Sequence, residues 1–314
     1  MPQKNTFEGG ILLVDKPEGI TSQTAVNAVR RAAGTKQVGH TGTLDPLATG
    51  LLCVLVGRAV KASEYAVCDR KAYEATLRLG ITTDTQDITG TVLSACDTLP
   101  APETVLRICE SFAGPQLQTP PMYSALKVGG KKLYELAREG KVVDREAREI
   151  TVYSLTCIPL NATDYKLTVE CSAGTYIRTL CEDIGKALGC GGAMAALRRT
   201  HVGGFDVKDA VSVDQLRKIA ERGPAPEDTL PPELENRLIP LEQLFDGLPK
   251  VPLGAFHEKL YRSGCALALH KLGLAEVPAG TRYAVSGKDG FFSLGEVTVT
   301  EEGPALKSLK LFSL

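Results

Sequence analysis

The apolar positions of this chain change period several times, and each change marks an element. Ile11 to Val14 is a continuous apolar run within GGILLVDKPEGITS, which predicts a buried strand closed by a turn at Pro17-Glu18-Gly19. Ser22 then stands where it can cap a helix from about Gln23 to Ala33, with Ala25, Val26 and Val29 inward and Gly34 as its stop. The stretch Gly39 to Leu52, GHTGTLDPLATGLL, shows neither the helical nor the alternating period. Apolar runs flank it on both sides, so it reads as an ordered loop between core elements. Gly39, Gly42, Pro46 and Gly50 are the turn-forming residues within it. KAYEATLRLG then alternates cleanly, with Tyr73, Ala75, Leu77 and Leu79 on one face of a half-buried strand.

Further along, Pro102 to Phe112 has the spacing of an amphipathic helix ending at Gly114. QTPPMYSALKVGGKKLYELAREGKVV follows, a proline-broken segment, a glycine pair and then a basic helix. Tyr165 to Cys171 alternates as a strand, and Leu180, Ile184 and Leu188 recur at helical spacing in a helix that begins near Ile177 or Thr179. Ser212 to Gln215, SVDQ, is a capping box. The Pro- and Glu-rich stretch 222–250 reads as a linker or surface wrap. TRYAVSG, FFSLGEVTV and LKSLKLFSL are strand-like, with a hairpin turn at KDG. These divisions predict a large domain over 1–221, the linker, and a small β-rich domain over 251–314.

Composition narrows the class. The length, 314 residues, suits one large domain and a small one, and the 43% hydrophobic content suits a sizeable core. There is no apolar run long enough for a membrane span and no signal-peptide pattern at MPQKNTFEGG. The nine cysteines form no CxxC pair and the four histidines do not cluster with them, which predicts reduced cytosolic thiols and no zinc site. Lys plus Arg total 36 against 37 Asp plus Glu. Any nucleic-acid binding must then come from local patches rather than overall charge. The densest patch holds Lys127, Lys131, Lys132, Arg138 and Lys141, interleaved with Tyr123 and Tyr134. It is either a solvated helix face or an arm that contacts phosphates.

Asp45 is a lone carboxylate between Leu44 and Pro46 in the central loop, costly to desolvate unless paired. By composition alone it is a turn or cap aspartate. Arg178 falls at the first turn of its helix, where the dipole disfavours a cation, so a strong external partner is implied. Asp45 is the obvious one. An arginine at that distance lowers an aspartate's pKa by about one to three units, whereas burial raises it.

GHTGTLDPLATGLL resembles the catalytic motif of the TruB family, the bacterial tRNA pseudouridine-55 synthases. DKPEGITS is similar to the family's first motif, KAYEATLRLG with TTDTQDITG to its second, and CSAGTYIRTL to its third, followed by AALRRTHVGGF. The likeness is strong over about residues 9–209 and weak beyond, where the chain resembles a PUA-like β domain. It implies an α+β pseudouridine-synthase fold, with a large mixed, mostly antiparallel sheet flanked by helices and a thumb-like insertion at about 119–145. Asp45 would be the catalytic carboxylate, Arg178 its partner, and Tyr73 the ring stacked on the target uracil. His40 would fill the place of the flipped base, with Lys16 and Pro17 supporting the pocket. Asp87, Tyr176 and Leu197 would contact the nucleotide. Lys127, Lys131, Lys132, Arg198 and Arg199 would lie near the RNA backbone.

The implied reaction detaches uracil from C1′ and rejoins it through C5, with no redox change, so no cofactor and no metal are expected. The resemblance also implies a tRNA T-stem-loop as partner, acceptor-stem contacts through the C-terminal domain, no guide RNA, no membrane, a monomer and a cytoplasmic location. Two other readings compete. A tRNA-binding or folding protein without catalysis would not need a carboxylate facing a phosphate-rich ligand. A glycosidase-like hydrolase would need two opposed carboxylates.

Overall fold

A computed structural model describes residues 9–66, 70–223 and 229–312. Its centre is a ten-stranded mixed sheet. From one edge the main path runs Val211–Ser212, Gly10–Lys16, Thr49–Val56, Gly192–Val202, Arg70–Leu79, Asp164–Ser172, Arg148–Pro159 and Gly114–Gln118. Val38–His40 pairs with Thr49–Val56, and Phe205–Asp206 with Gly192–Val202. Two pairings are parallel, Gly10–Lys16 with Val211–Ser212 and Thr49–Val56 with Gly192–Val202, and the others are antiparallel.

The apolar pattern explains how the sheet is covered. Leu12, Val14, Leu52, Val54 and Val56 face a cluster built with the helices Ser22–Ala33 and Val213–Glu221. Ile11, Leu13, Leu51, Cys53 and Leu55 face the opposite cluster, which includes Phe245, Ala284, Leu294 and Phe312. Strands buried on both faces have no polar face to show, hence the unbroken apolar runs. Arg70–Leu79 lies further across the sheet and is covered on one face only. Tyr73, Ala75, Leu77 and Leu79 pack with Val105, Leu180 and Ile184 from the helices Pro102–Glu110 and Ile177–Ala187.

A five-stranded sheet forms the C-terminal part, in the order Lys250–Pro252, Arg282–Gly287, Gly290–Thr300, Gly303–Leu311 and Leu267–Ala268. It meets the large sheet through the rings of Phe245, Phe291 and Phe312, whose centroids lie 5.6–5.8 Å apart. Residues 229–249, just before it, form an ordered strap. Leu230 and Leu234 are buried against the helix layer, and Ile239 exchanges backbone hydrogen bonds with Ile11 at 2.8 and 2.9 Å.

Several boundaries differ from those expected. Thr21, not Ser22, caps the first helix, accepting from the Thr24 N–H at 3.1 Å. Ser22 is buried inside the first turn and serves a tertiary contact described below. The ends of the Gly39–Leu52 stretch are strand, so the true loop spans only residues 41–48. The basic helix shrinks to Leu133–Arg138, because Lys127–Val128 and Lys131–Lys132 form a small hairpin around the glycine pair. The second predicted helix ends at Glu110.

Candidate active site

The loop 41–48 is held by groups from four directions. Ser22 Oγ accepts from the Leu44 N–H at 2.8 Å and donates to the Leu44 carbonyl at 2.9 Å. The Gly19 N–H donates to the Pro46 carbonyl at 2.9 Å. Lys16 is wholly buried, and its Nζ donates to the carbonyls of Pro17, Ile20 and Pro46 at 2.9, 2.9 and 3.4 Å. Leu44 and Ala48 anchor the loop in the same core cluster as Tyr73. Asp45, between these anchors, keeps 38% of its side chain exposed.

Arg178 comes from the second position of its helix and points into this site. Its Nε lies 3.1 Å from Asp45 Oδ2, and its Nη1 lies 3.9 Å from Asp87 Oδ2. Nη1 also donates to the Thr85 carbonyl at 3.2 Å and Nη2 to the Tyr123 carbonyl at 2.8 Å. The guanidinium is therefore fixed by backbone before it meets either carboxylate. Asp87 is buried and accepts from Thr85 Oγ1, the Thr89 N–H and Thr89 Oγ1.

Burial pushes the Asp45 carboxyl above its ordinary value. Arg178 pulls it down, Asp87 pushes it up and Lys16 pulls it down, but desolvation dominates. The same desolvation brings Lys16 down to about 8, despite the nearby carboxylates of Asp45 and Glu18. Tyr73 is 7% exposed, and burial raises its phenol. Burial and then the charge of Arg199 lower the His40 imidazole, and its Nδ1 is buried without a hydrogen-bond partner. Leu197 is buried beside Tyr73 in the core cluster, and Tyr176 is half-buried immediately before the Arg178 helix. An ionisable carboxylate, a fixed guanidinium and a buried phenol thus lie within electrostatic reach of one another.

Residues 30–177 match the model of the TruB family pseudouridylate synthase N-terminal domain, and residues 178–246 that of the tRNA pseudouridylate synthase B C-terminal domain. The chain belongs to the TruB family. It is 42% identical over 303 residues to tRNA pseudouridine synthase B of Chromohalobacter salexigens, covering 96% of this chain and 94% of that one. It is 40% identical over 288 residues to the protein of the same name from Aromatoleum aromaticum, covering 91% and 88%. Among solved structures it is similar to a chain of a Cbf5-Nop10-Gar1 complex, at a TM-score of 0.73 and 26% identity, covering 98% and 86%. It also shares its fold with a chain of an H/ACA ribonucleoprotein bound to a substrate RNA, at a TM-score of 0.72 and 23% identity, covering 100% and 88%. Membership of the TruB family makes the chain an isomerase that converts uridine to pseudouridine in tRNA.

The basic residues assigned to the RNA backbone separate in the structure. Lys131 sits on the 127–132 hairpin and lies 3.6 Å from Glu139, and Lys132 Nζ donates to the Tyr134 hydroxyl at 3.3 Å. Lys127 is in the same hairpin, but its side chain lies outside the described residues. Arg198 makes a two-pronged pair with Asp15 at 3.0 and 2.8 Å. Arg199 departs from the expectation altogether. It is 2% exposed and its guanidinium hydrogen-bonds three backbone carbonyls, so it cannot meet a phosphate. Strand alternation is the reason, since two adjacent arginines must point to opposite faces.

Other residues that hold this site together escaped the sequence. Gln118 is buried and clamps Tyr176, accepting from its N–H at 2.8 Å and donating to its carbonyl at 3.1 Å. Gln86 adopts a φ of +64, the one non-glycine residue in that region among the described residues. Its side chain accepts from Thr179 Oγ1 at 2.7 Å and donates to Glu182, which ties the turn carrying Asp87 to the helix carrying Arg178. Glutamines have no period or spacing that marks such clamps. The only signal was their place beside the motifs.

Proposed function

We propose that the protein isomerises uridine 55 in the T-loop of tRNA, acting on a nucleotide turned out of the RNA into the cleft between Asp45 and Tyr73. The observation that carries the reading is the 3.1 Å pair of Asp45 and Arg178 at the open side of the loop. A pure binding protein gains nothing from a desolvated carboxylate facing a polyanion.

In this reading the ionised Asp45 attacks the nucleoside or removes a ribose proton, and the C1′–N1 bond breaks. Arg178 keeps the carboxylate charged and aimed. The uracil turns over the Tyr73 ring and C5 bonds to C1′ as the bond to Asp45 breaks or the ribose proton returns from Asp45. The C5 proton leaves through the Tyr73 hydroxyl while N1 gains a proton. His40, held neutral by its surroundings, fills the place the base vacates. Lys16 supports the loop, while Asp87, Tyr176 and Leu197 shape the pocket around the base. Lys127, Lys131 and Lys132 on the insertion at about 119–145 approach the RNA backbone, and Arg198 lies at the rim. Residues 1–221 carry the chemistry, 222–250 the strap, and the β-rich 251–314 meets the acceptor stem. The enzyme works as a cytoplasmic monomer without a guide RNA.

The test is pseudouridine formation on a T-loop stem-loop RNA. The protein should modify that RNA alone, and Asp45→Asn should bind it and form no product. Normal product from that variant would refute the reading.

A further inference from the structure

Arg199 spends its whole guanidinium inside the protein. Nε donates to the Leu51 carbonyl at 2.7 Å, Nη2 to the Gly42 carbonyl at 3.2 Å and Nη1 to the Thr43 carbonyl at 3.5 Å. These carbonyls lie on both sides of Asp45 along the chain, so one side chain spans the catalytic loop and the strand that leaves it. Arg199 is also the antiparallel partner of Tyr73, which sets the two buried side chains on one face of the sheet, and its guanidinium charge acts on the Tyr73 phenol. On the other edge its backbone pairs with Gly50 so tightly that a Cβ there would sit 2.3 Å from the Arg199 carbonyl oxygen.

Among the described residues no carboxylate pairs with this cation. A buried, uncompensated charge is costly, and a core leucine or methionine would fill the volume without that cost. Its field reaches three groups of the site. It opposes protonation of His40 and of Lys16, and it favours negative charge on the Tyr73 oxygen. A planar fork of donors is suited to holding several acceptors at fixed angles, which an ammonium cannot do.

We propose that Arg199 is the positioning residue for Tyr73, locking its hydroxyl to the Asp45 loop and steadying the phenolic oxygen as it takes the C5 proton. This rests on the role of Tyr73 given above. The phenol first gives its own proton to solvent, and the Arg199 guanidinium meets the negative charge left on the oxygen. The C5–H bond then breaks, its proton passes to that phenolate oxygen, and its electron pair returns to the ring.

The experiment compares wild type, Arg199→Gln, Arg199→Lys and Tyr73→Phe. In Arg199→Gln the single-turnover rate should fall about 100-fold while tRNA affinity changes by less than about threefold. Arg199→Lys, which keeps a cation but not the fork, should fall between the two and remain informative should the glutamine variant unfold. The second readout needs no turnover. Proteins grown with 3-fluorotyrosine are titrated by fluorine NMR, with the Tyr73 signal identified by its loss in Tyr73→Phe. Its ionisation should move to higher pH without Arg199. An unmoved ionisation, a lysine variant as fast as wild type, or rate and affinity falling in parallel would overturn the inference. Full-rate turnover by Tyr73→Phe would instead remove the role of Tyr73, and with it the catalytic part of the inference, while the titration still reports the contact.

Discussion

Arg178 Nε lies 3.1 Å from Asp45 Oδ2, yet two backbone carbonyls, of Thr85 and Tyr123, also hold this guanidinium. The cation is built into the protein, and the carboxylate is brought to it by the loop. The asymmetry shows in exposure. The Arg178 side chain is 6% exposed and that of Asp45 is 38% exposed.

Arg178→Met should therefore be more damaging to the fold than any change at Asp45. It strands the buried Asp87 carboxylate without its cation and leaves two carbonyls without their donor. Breaking a buried pair from one side costs about 3–5 kcal/mol. Urea denaturation should show a loss near that range, and pseudouridine formation should fall with it. A loss under about 1 kcal/mol would place the pair among ordinary surface bridges.

Asp45→Asn should act in the opposite direction on stability. Because the folded protein raises this carboxyl, its favourable contribution is full below the unfolded value of 3.8 and is lost as pH rises through the folded value. At neutral pH the ionised group is a net cost. Solvent screening of a side chain this exposed keeps that cost below about 1 kcal/mol. Calorimetry should find the variant melting slightly higher than wild type at pH 7, with the gap closing towards pH 4.

The activity profile follows from the same two groups. Asp45 must be ionised, so the acid limb of the single-turnover rate should lie above the ordinary carboxylate range. Lys16 loses its proton near pH 8, and with it goes one of the cations facing Asp45. The rate should start to decline there. A rate that is flat from pH 7 to pH 10 would show that the Lys16 charge is irrelevant.

Gly50→Ala should disturb the site from beneath. Gly50 has a φ of +99, and a Cβ would meet the Arg199 backbone. Backbone strain of this kind costs about 1–3 kcal/mol before the steric shift is added. Thermal melting should drop, and the rate should drop more than tRNA affinity does, because the strands carrying Thr49 and Arg199 are forced apart.

Much of the site could be read from the chain alone. The irregular GHTGTLDPLATGLL stretch between two apolar runs marked the loop, and the position of Arg178 at a helix start pointed to a carboxylate partner. Ser22 shows where local reasoning stops. A serine before a helix looks like a cap, but Thr21 fills that role and Ser22 reaches across to Leu44. The capping pattern has two candidates there, and only the packing of the loop on the helix chooses between them.

By itself the sequence determined the buried strand at Ile11–Val14, the alternating strands at Tyr73–Leu79 and Tyr165–Cys171, and the residue types available for chemistry, because these follow from local period and side-chain identity. The tertiary structure alone decided that Arg198 and Arg199, neighbours in the chain, serve a surface pair with Asp15 and a buried clamp on the loop. It also decided that Gln86 and Gln118 tie the Arg178 helix to its neighbours. Hydrogen bonds between distant segments leave no periodic trace, since each depends on which strand lies beside which in the sheet.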